Sequence, residues 1–86
     1  MTHQPKAVQA TEPSMRIRAN LHAFDNVFLR IPQWLLECIE ESRVHITTGE
    51  VARNAATSRT TVVRFCQYLG YKGFSDFKTA WIRELT

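Results

Sequence analysis

The chain has 86 residues, 44% of them hydrophobic and 22% charged, with three glycines and three prolines; this is the balance of one small folded domain, not of a disordered chain. A domain of this size hides only about 60% of the surface its unfolded chain exposes, so a large cavity with a full catalytic shell is hard to build and an enzyme is disfavoured. The formal net charge of +3 is unevenly placed: residues 1–46 hold five basic and five acidic side chains, residues 47–86 six basic and three acidic ones.

Residues 1–13 are polar, hold two of the three prolines and show no period, so they read as a disordered leader. They contain no apolar run of signal-peptide length, and no stretch approaches the roughly 20 apolar residues that span a bilayer. A cytoplasmic protein without a membrane partner is expected.

From Ser14 a helical period appears. Ile17, Leu21, Phe24, Phe28 and Ile31 fall within about 80° of one another on a helical wheel, which predicts one helix with a single apolar stripe. Pro32 biases Ile31 toward extended backbone and suits the first position of a new helix, expected over about 32–42 with Leu35, Cys38 and Ile39 inward. Val44 and Ile46 flank His45 in a short linker that packs inward. Thr47-Thr48-Gly49-Glu50 has capping-box spacing and opens a short third helix over about 48–55, with Val51, Ala52 and Ala55 as its small apolar face. Ala56-Thr57 gives a brief turn, and Ser58 is the N-cap of a fourth helix over about 59–69, closed by Gly70. A loop over 71–74 follows, in which Gly73 is expected at positive φ. Ser75 then caps a fifth helix with Asp76 in its first turn and Phe77, Ala80, Trp81 and Leu85 inside. No strand pattern competes, so the expected fold is all-α, a small five-helix bundle.

Two short helices joined by a tight turn, the second one basic, describe a helix-turn-helix over about 47–69, of homeodomain-like kind. From Val51 to Ser75 there are four basic residues and no acidic one, which suggests a polyanionic partner. On the fourth helix Val62, Phe65, Cys66 and Leu69 share the core side, while Thr60, Arg64 and Gln67 point the other way. Thr61 and Tyr68 border that outer face, and Arg59 in the first turn can reach outward. The outer set suits base edges: an arginine fork pairs with guanine, a glutamine with adenine, and a threonine methyl meets that of thymine. Backbone amides around Thr48 and Gly49, and those after Ser58, are candidate phosphate ligands.

Other chemistries find less support. Cys38 and Cys66 form no CxxC pair and His3, His22 and His45 are scattered, so neither a disulfide framework nor a metal site is expected; two small buried hydrophobes are. Phe74, Phe77 and Trp81 could stack bases of a single strand, but at helical spacing they read as core. Gly70 and Gly73 lack the spacing and the Lys-Ser/Thr of a phosphate-binding loop. No nucleophile elbow accompanies Ser58 and His45. Neither a catalytic site nor a cofactor is expected.

The segment Thr61-Val62-Val63-Arg64-Phe65-Cys66-Gln67-Tyr68-Leu69-Gly70-Tyr71-Lys72-Gly73-Phe74-Ser75-Asp76-Phe77-Lys78 resembles the end of the DNA-binding domain of RpiR-type bacterial transcription regulators. Ser58 through Lys78 follow that family's pattern nearly position for position, and Glu50-Val51-Ala52 resembles its Glu-Leu-Ala. The resemblance covers about residues 46–85. Thr57 departs from it, standing where the family usually has valine, and the segment around Pro32-Gln33-Trp34 matches poorly.

The resemblance implies an N-terminal helical domain that binds double-stranded operator DNA as part of a homodimer. It also implies a following sugar isomerase (SIS) domain, absent from this chain, that senses a phosphorylated sugar and controls carbohydrate-catabolism genes. By motif position Ser58, Arg59, Thr60, Thr61 and Arg64 would lie at the DNA, while Gln67 rests on helix geometry alone. Together these give an expected interface of Thr48, Arg53, Ser58, Arg59, Thr60, Thr61, Arg64, Gln67 and Lys72, with the fourth helix in the major groove. Arg53, Arg59 and Lys72 would meet phosphates, and Arg64, Thr60 and Gln67 would read bases. The rival reading is a helical interaction or dimerisation module that touches no DNA, with the apolar first helix as its contact face.

Overall fold

The computed structural model describes residues 12–86. Most of the expected leader therefore lies outside the described residues. Pro13 itself is the first residue of helix α1 (Pro13–Ala19), a position where its missing N–H costs nothing. A 3₁₀ turn (Leu21–Ala23) leads to α2 (Asn26–Glu40), followed by α3 (Thr48–Asn54), α4 (Arg59–Tyr68) and α5 (Phe74–Leu85). The described residues form five α-helices and no strand, the all-α fold the periodicity predicts.

The first two helices divide differently from the sequence reading. The expected long first helix stops at Ala19; Asn20 donates its side-chain amide to the carbonyl of Arg16 at 2.8 Å, and Asp25 restarts the helix by accepting from the amide of Phe28 at 3.2 Å. These are helix-ending and N-cap chemistries respectively. Pro32 does not begin a helix but sits inside α2, where it offers no N–H to the carbonyl of Phe28. Continuous burial of Ile31, Leu35 and Cys38 along one face carries α2 past it, each such apolar side chain contributing about 1.5–3 kcal/mol. The apolar stripe itself survives the break: Ile17, Phe24 and Ile31 are in the core and Leu21 and Phe28 pack against it.

Three helices end in the same way. After α2, α3 and α4, the residue past the C-cap takes a left-handed conformation: Ser42 at φ 55°, Ala56 at φ 56° and Gly70 at φ 104°. In each case the next amide reaches back five residues, from Arg43 to Cys38 (2.8 Å), Thr57 to Ala52 (2.9 Å) and Tyr71 to Cys66 (3.0 Å). The left-handed residue's own amide reaches back three residues, which completes the Schellman motif. Gly73, expected at positive φ, lies instead at φ 177°, extended backbone open to any residue. It also takes the N-cap position of α5 that was expected of Ser75, while Asp76 accepts from the amide of Lys72 at 2.9 Å.

The core runs through all five helices. Phe65 of α4 meets Phe24 and Phe28 at ring-centroid distances of 5.3 and 5.9 Å, and Tyr71, Phe77 and Trp81 continue the aromatic packing on the α5 side. Phe77 and Trp81 are fully buried, as a core reading requires. Ile46 is fully buried too, which seats the linker between α2 and α3. Two long-range ties fasten α5: the Trp81 indole donates to the carbonyl of Arg43 at 3.0 Å, and the Glu84 carboxylate accepts from the amide of Ser14 at 3.0 Å. Among the described residues no helix is long and apolar enough to cross a membrane.

Candidate nucleic-acid interface

The site is built on α3 and α4, which pack against each other. Val51, Ala52 and Ala55 are buried, which lets the two helices sit close. A capping box starts α3: the Thr47 hydroxyl accepts from the amide of Glu50 at 3.0 Å, and the Glu50 carboxylate accepts from the amide of Thr47 at 3.4 Å. The same carboxylate pairs with the Arg43 guanidinium, which also lies 5.3 Å from the centre of the Trp34 ring.

Ser58 starts α4 by accepting from the amide of Thr61 at 3.1 Å, and the hydroxyls of Ser58 and Thr61 lie 3.0 Å apart. Along α4 the helical period separates two chemistries. Val62, Phe65 and Cys66, with Leu69 beyond the last turn, are buried. Arg59, Thr60, Arg64 and Gln67 are exposed, and Thr61 and Val63 are half-buried at the border. Arg64 stands clear of the bundle. Tyr68 keeps 53% of its surface exposed while its ring edge packs on Phe24 at 5.5 Å. Burial pushes the Cys66 thiol up to about 12 and raises that of Cys38, so both behave as apolar filling.

The remaining expected residues lie on α3 and at the two ends of α4. Arg53 is exposed on α3, and Thr48 is half-buried in that helix's first turn. Arg59 reaches back to α3: a Cβ added at Gly49 would stand 2.9 Å from its Nη2 and 3.3 Å from its Nε, so the guanidinium lies over the first turn of the preceding helix. Ser58 is exposed, its side-chain oxygen engaged by Thr61. Lys72 is exposed just past the end of α4, and its carbonyl accepts from the Gln67 side-chain amide at 3.2 Å.

Sequence reasoning missed three contacts here. Arg59 over Gly49 had a faint signal, since only glycine at that place leaves room for the guanidinium. Gln67 to Lys72 crosses the Gly70 turn and is invisible to a wheel confined to the helix. Arg16 of α1 donates to the carbonyl of Leu69 at 3.0 Å and lies 4.5 Å from the centre of the Tyr71 ring. A cation on the last carbonyls of α4 complements the negative end of that helix. The two residues are 53 apart in sequence, and no local pattern joins them.

Comparison with known proteins bears on the fold and the family. The family model for the helix-turn-helix domain of the rpiR family matches residues 14–86 and so takes in α1 and α2, beyond the 46–85 of the motif resemblance. An uncharacterised HTH-type transcriptional regulator from the aarA 3′ region of Providencia stuartii is 33% identical over 55 residues, covering 64% of this chain and 19% of its own length. One from Haemophilus influenzae is 34% identical over 60 residues, covering 70% and 18%. The regulator YfhH of Escherichia coli K12 is 33% identical over 66 residues, covering 77% and 23%. The chain thus spans about a fifth of the length of these relatives. No solved structure matches it.

Proposed function

The chain belongs to the rpiR family of helix-turn-helix domains, DNA-binding domains of transcription regulators, and on that premise we propose that it reads a specific double-stranded operator by laying α4 in the major groove. One observation carries this reading: α4 turns Val62, Phe65 and Cys66 into the core and leaves Thr60 and Arg64 exposed on its opposite side, with Arg59 exposed in its first turn. Arg64 is suited to a bidentate contact with guanine and Thr60 to a thymine methyl, each good bidentate contact discriminating by about 1–3 kcal/mol. Arg53, Arg59 and Lys72 supply charge to the phosphates, helped by hydroxyls and amides at Thr48, Ser58 and Thr61. Gln67 borders this set at the helix end.

A single domain with about four to six cationic contacts binds weakly, near micromolar, and loses affinity steeply with salt. Pairing two copies about 34 Å apart on successive turns of the duplex overcomes this, which favours a homodimer in a longer protein. The longer relatives leave room for an effector module of the phosphosugar-sensing kind, acting on carbohydrate genes, with the whole regulator in the cytoplasm beside its DNA. This role calls for no cofactor, metal or catalysis.

Fluorescence anisotropy on an operator-bearing duplex and a scrambled one, across a salt series, tests the reading. Arg64→Ala should lower affinity for the first and narrow the difference between the two, whereas Lys72→Ala should weaken both alike. Equal losses for Arg64→Ala on both duplexes remove its base-reading role. Absence of binding near 50 mM salt favours the interaction-module reading instead.

A further inference from the structure

Both backbone groups of Lys72 are held by side chains, one from the helix before it and one from the helix after it. The Gln67 side-chain nitrogen donates to the Lys72 carbonyl at 3.2 Å, and the Lys72 amide donates to the Asp76 carboxylate at 2.9 Å. Lys72 is exposed between α4 and α5, one residue past Tyr71, whose amide closes the Schellman motif on Cys66. Gly70, in a left-handed conformation at φ 104°, and the extended Gly73 flank this short stretch.

We infer that Gln67 is a positioning residue rather than a base reader: with Asp76 it clamps the Lys72 peptide so that the lysine ammonium is presented beside the outer face of α4, toward the duplex phosphates. Gln67 stands one turn beyond Arg64 on that exposed face, so a residue hydrogen-bonded to its side chain lies next to the same surface. One of the two N–H bonds on its amide nitrogen, the atom that would donate to an adenine, is given to that carbonyl, which fixes the amide toward the Lys72 backbone. This inference rests on the DNA-binding reading above. It assigns the contribution of Gln67 to affinity for any sequence, and leaves discrimination to Arg64 and Thr60.

The test uses Gln67→Met in the full chain, which keeps side-chain length and net charge but removes the donor. On operator and scrambled duplexes alike, affinity should fall by about two- to tenfold, the weight of one neutral hydrogen bond. The slope of log affinity against log salt should flatten by up to about 0.9, the share of one phosphate contact. In a Lys72→Ala background Gln67→Met should have no further effect, because the residue it positions is gone. Without DNA, hydrogen exchange at the Lys72 amide should accelerate in Gln67→Met while amides of α2 remain protected. Loss confined to the operator duplex, or a full loss persisting beside Lys72→Ala, overturns the clamp in favour of base reading. Unchanged exchange at Lys72 also overturns it. If the wild-type chain binds neither duplex, the DNA reading fails, and exchange at Lys72 by itself decides whether the clamp exists.

Discussion

The Arg59 guanidinium rests over the backbone of Gly49, so that a Cβ at Gly49 would come within 2.9 Å of Nη2. The first residue of α4 is thereby laid across the first turn of α3, and glycine makes the approach possible. The obstacle to a methyl group is the far end of a flexible side chain, so Gly49→Ala should leave folding intact and gain up to about 1 kcal/mol from helix propensity. The displaced guanidinium should weaken DNA binding on every sequence and flatten the salt slope by up to about 0.9. Urea unfolding and anisotropy read the two effects separately; a large loss of stability would show that the glycine serves packing instead.

The turn between α3 and α4 places Ala56 at φ 56°, and α2 ends with Ser42 at φ 55°. Both are left-handed positions where a side chain costs roughly 1–2 kcal/mol, partly offset because glycine loses more entropy on folding. Ala56→Gly and Ser42→Gly should each stabilise the domain by about 0.5–1 kcal/mol. Because they end different helices and share no hydrogen bond, the gains should add. Urea midpoints of the two single variants and the double variant check this. A loss from Ala56→Gly would mean that its methyl group packs more favourably than its conformation costs.

What the sequence made legible was local. Capping chemistry at Thr47, Glu50 and Ser58 acts within four residues, and the buried face of α4 repeats at 3.6 residues, so both could be read directly. The break between α1 and α2 hid because Ile17, Phe24 and Ile31 all reach the core across it, leaving the stripe in phase through a 3₁₀ turn. Pro32 misled because its local preference lost to the burial of Ile31 and Leu35. The identities of the outward residues of α4 were legible, but the partners that hold them were not. Arg16 reaches Leu69 across 53 residues and Glu84 reaches Ser14 across 70, and tertiary packing alone brings them together.

Burial holds the Cys66 thiol up at about 12, against an ordinary value of 9.0, and raises Cys38 and Tyr71 as well. A raised native value means the folded state keeps its proton where the unfolded chain has lost it. These groups therefore leave stability unchanged below about pH 9, and erode it as pH rises from about 9 toward about 12. Unfolding by urea at pH 8 to 11 should show that decline, and it should be shallower in Cys66→Ala. At pH 8 the native thiols should resist alkylation until denaturant is added. Rapid labelling of Cys66 in the native protein would contradict the buried, neutral thiol.

Trp81 is fully buried and its indole N–H donates to the carbonyl of Arg43, the residue that closes the Schellman motif of α2 and whose guanidinium pairs with Glu50 at the start of α3. Two variants separate the backbone role of Arg43 from its side-chain role. Arg43→Ala keeps the carbonyl and removes a half-exposed ion pair and the contact with the Trp34 ring, a loss of about 1 kcal/mol. Trp81→Phe leaves the carbonyl without its indole donor and opens a void between α5 and the α2–α3 linker, a loss of about 2–4 kcal/mol. In a domain whose whole stability is on the order of 5 kcal/mol, the second change should leave a measurable unfolded fraction at 37 °C and the first should not. Circular dichroism melts of the two variants decide it: equal shifts would mean that the guanidinium contributes as much as the buried indole and its bond.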